Sequence, residues 1–286
     1  MVTLLAKPVA QSVQLEVKQR AENFQRQTQR APKLVVVLVG EDPASVIYTR
    51  KKGETAVQLG LAHETLRLPV TSSPNEVKTA LQRLNSDPSV DGILLQRPLP
   101  KNFKEEEVVY WISPEKDVDA FHPINTGRLH LGLPCLQPCT PAGVMKILNH
   151  YQISPAGKIA CVIGRSSIVG KPMAALLLQA DATVLHCHSR TPDLRRVTQQ
   201  AEILVVAVGK MEMIDQSYIR KGAVVIDVGI HRNPQGKIVG DVKHDGLDSH
   251  VSAITPVPGG VGPMTIAMLM LNTIQAAENS NISTKI

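Results

Sequence analysis

The chain has 286 residues, of which 31 are basic and 25 acidic, and its isoelectric point is near 9.2. Hydrophobic residues make up 43% and aromatic residues only 3%, which leaves room for two aliphatic cores but excludes the clustered basic and aromatic residues of a nucleic-acid-binding module. Apart from Arg50-Lys51-Lys52 the charges are scattered, a pattern that favours an anionic small molecule as ligand.

The four cysteines form no Cys-x-x-Cys pair and have no zinc-ligand spacing with histidine. Neither a signal peptide nor an apolar run of ~20 residues is recognisable. We therefore expect a cytoplasmic protein with reduced thiols, no bound metal, no membrane contact and no nucleic-acid partner.

The first half of the chain alternates between strand and helix patterns. Residues 33–40 form a β-branched run typical of a strand buried on both faces. Asp42-Pro43 provides an N-cap and a first-turn proline for a helix to about Leu59. The same reasoning predicts a strand over 63–68, a helix over 74–84 that is capped by Ser73, and a strand over 91–95.

Two features of this half suggest chemistry. Tyr48 and Lys52 lie four residues apart on the predicted helix and share a face. A lone lysine is usually solvated, but burial and the adjacent cations would lower its pKa and suit it to acid–base work. Tyr48 fits either a ring stacked on a flat heterocycle or an ordinary edge tyrosine. Gln96 follows the third strand, at the carboxyl edge where open α/β sheets bind ligands.

A polar stretch from Ser113 to Pro141 marks a domain boundary, and a helix is predicted over 143–151. Within the stretch, Asp117, Asp119 and His122 are conceivable metal ligands but lack the rest of a coordination set. A carboxylate that recognises a donor-rich heterocycle is the more natural interpretation.

The second half reads as a parallel doubly wound sheet with strands over 159–163, 183–188, 203–208 and 224–228. Its first strand runs into Gly164-Arg165-Ser166-Ser167, a turn typical of dinucleotide binding except that Ser166 stands at the second glycine. The second strand ends in His188-Ser189-Arg190 without the carboxylate that NAD-preferring sites use. Arg165, Ser189 and Arg190 therefore predict NADP, unless the two arginines are ordinary surface charges.

Residues 254–265 combine three prolines with three glycines ahead of a helix that is predicted from Met264 to about Ala277. An isolated loop of this kind is commonly just rigid. Glycines, however, also let a ligand or another backbone approach closely.

Several ordered blocks extend along nearly the whole chain: Val39-Gly40-Glu41-Asp42-Pro43-Ala44-Ser45 with Tyr48 and Lys52, Gly92 to Pro100, Lys116-Asp117-Val118-Asp119, Pro138-Cys139-Thr140-Pro141, Gly164-Arg165-Ser166, and Pro256 to Thr265. Together these blocks resemble the bifunctional methylenetetrahydrofolate dehydrogenase/cyclohydrolase family. The resemblance implies a homodimer that oxidises 5,10-methylenetetrahydrofolate with NADP⁺ and hydrolyses the product to 10-formyltetrahydrofolate in one-carbon metabolism.

It also implies an α/β fold of two domains with the active-site cleft between them. The folate-binding catalytic domain covers residues 1–141, joined by the C-terminal helix 264–286, and the Rossmann-type NADP-binding domain covers 142–263. The predicted catalytic and substrate-binding residues are Tyr48, Lys52, Gln96 and Asp119, with Pro258, Gly259, Gly260 and Pro263 as further substrate contacts. The predicted cofactor site comprises Gly164, Arg165, Ser166, Ser167, Ser189, Arg190, Gly209 and Ile230.

Four positions depart from the family pattern: Arg97, Ala120, Ser167 and His231. Arg97 is the largest change, since a cation near Gln96 would shift the pKa of Lys52. Two other functions stay open, a monofunctional dehydrogenase and a non-catalytic folate- or nucleotide-binding protein. The first would lack the Lys52–Gln96 pair, and the second would have lost several site residues, but all of these are present.

Overall fold

A computed structural model describes residues 1–283. It contains strands β1 (Val2–Thr3), β2 (Lys33–Val39), β3 (Ala62–Leu68), β4 (Gly92–Leu95), β5 (Ile159–Ile163), β6 (Thr183–Cys187), β7 (Ile203–Val206), β8 (Val224–Asp227), β9 (His231–Arg232), β10 (Ile238–Val239) and β11 (Ala253–Ile254). The helices are α1 (Ala6–Thr28), α2 (Pro43–Gln58), α3 (Pro74–Ser86), α4 (Glu105–Val108), α5 (Pro123–His130), α6 (Cys139–His150), α7 (Gly170–Gln179), α8 (Leu194–Thr198) and α9 (Gly262–Ser283).

The chain divides into two compact units. The first unit comprises residues 12–139 and the described residues from 266 onward, and the second unit comprises residues 1–11 and 140–265. Residues 1–11 differ from the predicted domain 1–141 because β1 pairs in parallel with β11 of the second unit. The predicted C-terminal helix extends to residue 286, and its last three residues lie outside the described part of the chain.

The first unit contains a parallel three-stranded sheet in the order β3-β2-β4. The central strand β2 is buried from Leu34 to Val39, as its unbroken apolar run predicts. The predicted caps are confirmed: the Asp42 side chain accepts a hydrogen bond from the Ser45 amide at 2.8 Å, and Ser73 forms a capping box with Glu76. The sheet and the two helix caps position the start of α2 and the end of β4.

The second unit contains a six-stranded parallel sheet in the order β1-β11-β8-β7-β5-β6. The four predicted strands are confirmed to within two residues. An antiparallel pair, β9 and β10, follows β8. The parallel order places the carboxyl ends of β5, β6, β7 and β8 along one edge of the sheet.

Several elements escape the sequence prediction. α1 is not predicted, although Val9, Val13 and Val17 lie on its buried stripe at helical spacing. α4 precedes the polar stretch that begins at Ser113, and α5 lies within it; neither helix is predicted. α6 begins four residues before the predicted start, and α9 continues six residues past the predicted end.

Candidate active site

Lys52 lies on the buried side of α2, together with Ser45, Thr49 and Ala56 at helical spacing. Its Nζ donates a hydrogen bond to Gln96 Oε1 at 2.8 Å. Gln96 directly follows β4, and its Nε2 donates to the Arg97 carbonyl oxygen at 2.6 Å. The second bond fixes the amide so that its oxygen faces the lysine.

Burial lowers the pKa of Lys52, while the nearby Asp119 carboxylate opposes the shift. Arg50 and Lys51 are exposed on the same helix, and Arg50 lies 3.7 Å from Glu54. Burial and neighbouring cations are both predicted to lower this pKa. In the structure, burial is the cause.

Asp119 is the carboxylate next to Lys52. Its pKa is raised by burial and lowered by the positive charges of Lys52 and Arg97. The segment that carries it runs beside β4, since Ile93 pairs with Asp117 in a parallel bridge. Ala120, where the family usually has glycine, has φ +60°, which explains why glycine suits this position.

The Arg97 guanidinium lies over the Phe121 ring at 5.3 Å and forms an ion pair with Glu105. Arg97, Asp119 and Phe121 line one small pocket together with Ile93, Leu95, Val108 and Asp117. The Arg97 charge lowers the pKa of Asp119, while the causes that act on the pKa of Lys52 are burial, Asp119 and Cys139. An effect of Arg97 on the pKa of Lys52 stays a prediction.

The Asp117 side chain accepts a hydrogen bond from the His122 amide at 2.6 Å. Burial raises the pKa of Asp117 to about 7. His122 in turn accepts from the Ile124 amide and caps α5. Both residues thus shape the loop around Asp119, and residues 1–283 contain no group of three His, Cys, Asp or Glu side chains that could hold a metal ion.

Tyr48 lies one turn before Lys52 on α2 and is 45% exposed. Its ring is therefore an edge tyrosine with a free surface, which keeps the stacking hypothesis open.

Two residues of this site escape the sequence prediction. The Asn272 Nδ2 on α9 donates to the carbonyl oxygens of Val118 and Gln137, each at 2.8 Å. The Cys139 thiol donates to the Val118 carbonyl at 3.4 Å, and burial raises its pKa well above the usual range. A polar Asn within an apolar helix is the signal by which Asn272 could have been found.

The carboxyl edge of the second unit carries the predicted cofactor residues. Gly164 has φ +127°, and a Cβ there would lie 2.1 Å from the Ala207 carbonyl oxygen, so the turn requires glycine. The Ser166 hydroxyl accepts from the amides of Val169 and Gly170 at 3.2 and 3.3 Å. Serine at the second glycine position thus binds the two amides that lie where α7 begins.

Cα pairing of Ile163 with Cys187 brings the ends of β5 and β6 side by side. The exposed residues Arg165, Ser167, Ser189 and Arg190 follow these two ends. Gly209 follows β7 with φ +65°, and Ile230 follows β8 with 57% of its surface exposed. All the predicted cofactor residues therefore stand at one edge of one sheet.

The loop between β11 and α9 belongs to the second unit. The Gly259 carbonyl oxygen accepts a hydrogen bond from the Ala6 amide at 3.0 Å. A Cβ on Gly260 would lie 2.4 Å from the Pro256 carbonyl oxygen, so its close neighbour is the loop itself. Pro258 and Pro263 are exposed.

Comparisons with known proteins agree on one family. Residues 4–119 match the tetrahydrofolate dehydrogenase/cyclohydrolase catalytic domain, and residues 138–281 match its NAD(P)-binding domain. The bifunctional protein FolD of Ligilactobacillus salivarius (strain UCC118) is 55% identical over 249 residues, 87% of each chain.

Two solved structures are similar over the whole chain. The bifunctional FolD methylenetetrahydrofolate dehydrogenase/cyclohydrolase of Campylobacter jejuni is 43% identical with a TM-score of 0.95, covering 98% of this chain and 99% of that one. The corresponding enzyme of Trypanosoma brucei, in complex with NADP cofactor and an inhibitor, is 34% identical with a TM-score of 0.92, covering 98% of each chain.

Proposed function

Since this chain belongs to the tetrahydrofolate dehydrogenase/cyclohydrolase family, we propose that Lys52, Gln96, Tyr48 and Asp119 carry its chemistry in the first unit. The protein oxidises 5,10-methylenetetrahydrofolate to the 5,10-methenyl form with NADP⁺ and hydrolyses that product to 10-formyltetrahydrofolate. The buried Lys52–Gln96 hydrogen bond of 2.8 Å beside Asp119 is the observation that carries the residue assignment.

Hydrolysis needs a group that takes and returns a proton. Water adds to the methenyl carbon, and we assign to the Lys52 amine the proton that the water loses. The same proton then goes to N5 as the bond between N5 and the carbon breaks. The remaining hydroxyl proton of the hydrated carbon is released to solvent as the C=O bond of the formyl group forms on N10. A buried amine with a lowered pKa suits both roles, because it is closer to half protonation near neutral pH than an exposed lysine.

Asp119 holds the pterin end of the folate, whose N–H groups are donors that match a carboxylate. Its two cationic neighbours, Lys52 and Arg97, favour the ionised, acceptor-only form. Tyr48 stacks on the folate ring system with its exposed face. Pro258, Gly259, Gly260 and Pro263 complete the proposed folate contacts.

The second unit fits NADP. The Gly164 turn offers a backbone that no side chain obstructs, and the segment from His188 to Pro192 carries no carboxylate that would repel a 2′-phosphate. Bound NADP⁺ supplies the acceptor for the hydride of the bridging methylene. Arg165, Ser189 and Arg190 bind the 2′-phosphate in this proposal, with Ser166, Ser167, Gly209 and Ile230 as further contacts.

We also propose that the protein works as a homodimer in the cytoplasm and supplies 10-formyltetrahydrofolate for purine biosynthesis. The cysteines, all free in the structure, suit a reducing compartment. Residues 1–283 include no helix with the length and apolarity that a membrane crossing demands. Light scattering of the purified protein measures the oligomeric state.

A spectrophotometric assay tests the function: methylenetetrahydrofolate is supplied with NADP⁺ or NAD⁺, and methenyl formation and decay are followed. Lys52→Met tests the central assignment. We expect hydrolysis of methenyltetrahydrofolate to fall by about 100- to 10,000-fold, because general acid–base help is lost while the aliphatic stem stays. Lys51→Met is the matched control, since Lys51 is exposed on the same helix. Hydrolysis at the wild-type rate in Lys52→Met would refute the assignment.

A further inference from the structure

Two carboxylates of the second unit are wholly buried and take no part in the chemistry assigned above: Asp227 at the end of β8, and Asp241. Burying a carboxylate is costly unless hydrogen bonds replace its hydration. Their partners are therefore informative about what these side chains hold in place.

Asp241 accepts four hydrogen bonds. Its Oδ2 accepts from the amides of Val208 and Gly209 at 2.7 and 3.0 Å. Its Oδ1 accepts from the Lys210 amide at 2.9 Å and from His231 Nε2 at 2.7 Å. An ionised carboxylate has about four acceptor sites, so a single side chain fixes three consecutive amides and one ring.

Asp227 fixes Asp241 in turn. Its Oδ1 accepts from the amides of Gly229 and Asp241 at 2.9 and 3.0 Å, and its Oδ2 accepts from the Val242 amide at 3.0 Å. The chain of contacts therefore runs from the end of the central strand β8 through Asp227 and Asp241 to residues 208–210. We name residues 208–210 the β7 turn.

The β7 turn lies at the carboxyl edge of the sheet, where open α/β sheets bind their ligands. The β7 turn contains Gly209, whose amide bonds to Asp241, and Ile230 directly precedes His231, whose ring also bonds to Asp241. Asp241 therefore holds the backbone at or beside both residues that are proposed to contact the dinucleotide after β7 and β8.

We propose that Asp241, held by Asp227 and bonded to His231, is a positioning residue for the dinucleotide: it holds the β7 turn and the start of β9 in the conformation that binds the cofactor. The inference rests on the proposed NADP site and adds residues that do not themselves touch the cofactor. It makes the affinity for the cofactor depend on a buried carboxylate behind the binding surface.

The sheet order gives this role a distinct signature. β5 separates β7 from β6, so the β7 turn lies about 10 Å from the end of β6, where Ser189 and Arg190 are proposed to bind the 2′-phosphate. A change at Asp241 should therefore reduce the affinities for NADP⁺ and NAD⁺ by the same factor. Loss of the arginines, in contrast, should change the ratio of the two affinities.

The test compares Asp241→Asn with Asp215→Asn in the full-length protein. Asp215 is the matched control, because it also accepts a backbone amide, that of Ser217, in the second unit but on the exposed surface. Calorimetry measures NADP⁺ and NAD⁺ binding, and hydrolysis of methenyltetrahydrofolate without cofactor reports on the integrity of the rest of the chain.

For Asp241→Asn we expect both dinucleotides to bind about tenfold more weakly. The asparagine NH₂ group would face N–H groups that donate hydrogen bonds to the carboxylate in the wild type. This loss should exceed any loss of cofactor-free hydrolysis at least fivefold, while Asp215→Asn should match the wild type. Unchanged affinities, a loss for NADP⁺ alone, or an equal loss of binding and hydrolysis would each overturn the inference.

His231→Ala is a second test of the proposal in case Asp241→Asn fails to fold. It removes one of the four hydrogen bonds from a partly exposed side chain, and we expect a smaller loss, about two- to fivefold, that is again equal for both dinucleotides. Wild-type affinity in this variant would overturn the proposal. A wild-type protein that binds neither dinucleotide would instead refute the proposed cofactor site itself.

Discussion

At the scale of single residues, the site depends on how one amine is buried. Lys52 is 9% exposed, and its pKa is lowered by that burial, with Asp119 acting in the opposite direction. The neutral Gln96 oxygen at 2.8 Å satisfies a donor of Nζ without adding a charge that would restore the ordinary pKa. A glutamine rather than a glutamate thus preserves the effect of burial.

Gln96→Glu tests this account through pH dependence. A carboxylate at this position stabilises the protonated amine, so the pKa of Lys52 rises toward or beyond its ordinary value. A base works only in its neutral form, so the rate of methenyltetrahydrofolate hydrolysis should fall near neutrality and its rising limb should move to higher pH. The measurement is the pH–rate profile after subtraction of the uncatalysed rate. Gln82→Glu, exposed on α3, is the control, and a profile unmoved in Gln96→Glu would contradict the tuning role.

Asp119→Asn separates substrate binding from proton transfer. The amide replaces one acceptor oxygen by a donor, so a donor of the pterin end meets another donor at a cost of ~1–3 kcal/mol. We expect a folate analogue to bind more weakly and both activities to fall together, while NADP⁺ affinity stays the same. Calorimetry measures both affinities, with Asp87→Asn as control. An unaltered analogue affinity would mean that Asp119 only structures its loop.

At the scale of elements, the sequence predicts what local patterns encode. β2 and β5 are unbroken apolar runs, and Asp42 and Ser73 are caps, so these features are read correctly. α5 lies in a polar stretch, and it begins where the His122 ring and the buried Asp117 carboxylate hold the preceding loop. These contacts are local, spanning five and two residues, but histidine is not among the usual N-cap residues, so the start of α5 is only weakly indicated by the sequence.

The site shows the same division. Lys52 and Gln96 are identifiable because the sequence predicts the helix and the strand end that carry them. The fold then brings Lys52 Nζ to 2.8 Å from Gln96 Oε1. Asn272 is indicated only as a polar residue within an apolar helix, and Asp241 lies outside every predicted helix and strand, so the sequence does not show that they bond to Val118 and Val208. No local pattern specifies those pairings.

The ends of β5 and β6 yield a prediction about cofactor choice. Arg165→Ala combined with Arg190→Ala should raise the KM for NADP⁺ far more than that for NAD⁺, because only NADP⁺ carries the 2′-phosphate. A hydrogen bond to a charged group is worth ~1.5–3 kcal/mol, or about tenfold or more in affinity for each residue. Arg220→Ala is the control, since Arg220 precedes β8 and so lies toward the opposite edge of the sheet. An equal rise in KM for both cofactors would show that the two arginines do not bind the 2′-phosphate.

At the scale of the whole molecule, the chain leaves the first unit at residue 139 and returns to it at residue 266. The returning helix α9 is largely buried from Met264 to Ala277 and is bound to α1 by the Glu278–Arg20 ion pair, with 2.6 Å between its closest atoms. The folate half is thus assembled from segments that are distant in sequence, and Asn272 is where the returning helix contacts the backbone just before Asp119.

Asn272→Leu tests whether this return is needed for folate binding. Leucine has the same branching but leaves the Gln137 carbonyl oxygen without this donor and the Val118 carbonyl oxygen with the weak Cys139 thiol as side-chain donor. An unsatisfied buried group costs ~1–3 kcal/mol. We expect a lower thermal unfolding midpoint and a folate-analogue affinity reduced about five- to tenfold, because the backbone before Asp119 loses its fixed position. NADP⁺ affinity should be retained.

Thr273→Val is the matched control for Asn272→Leu, since the Thr273 hydroxyl bonds to the Leu269 carbonyl within α9 itself. This variant should lose some stability without a comparable loss of folate affinity. If both variants reduce folate affinity in proportion to their loss of stability, the helix acts only as a packing element. If only Asn272→Leu reduces the affinity for the folate analogue, the C-terminal helix positions Asp119. The discontinuous course of the chain then contributes directly to the substrate site.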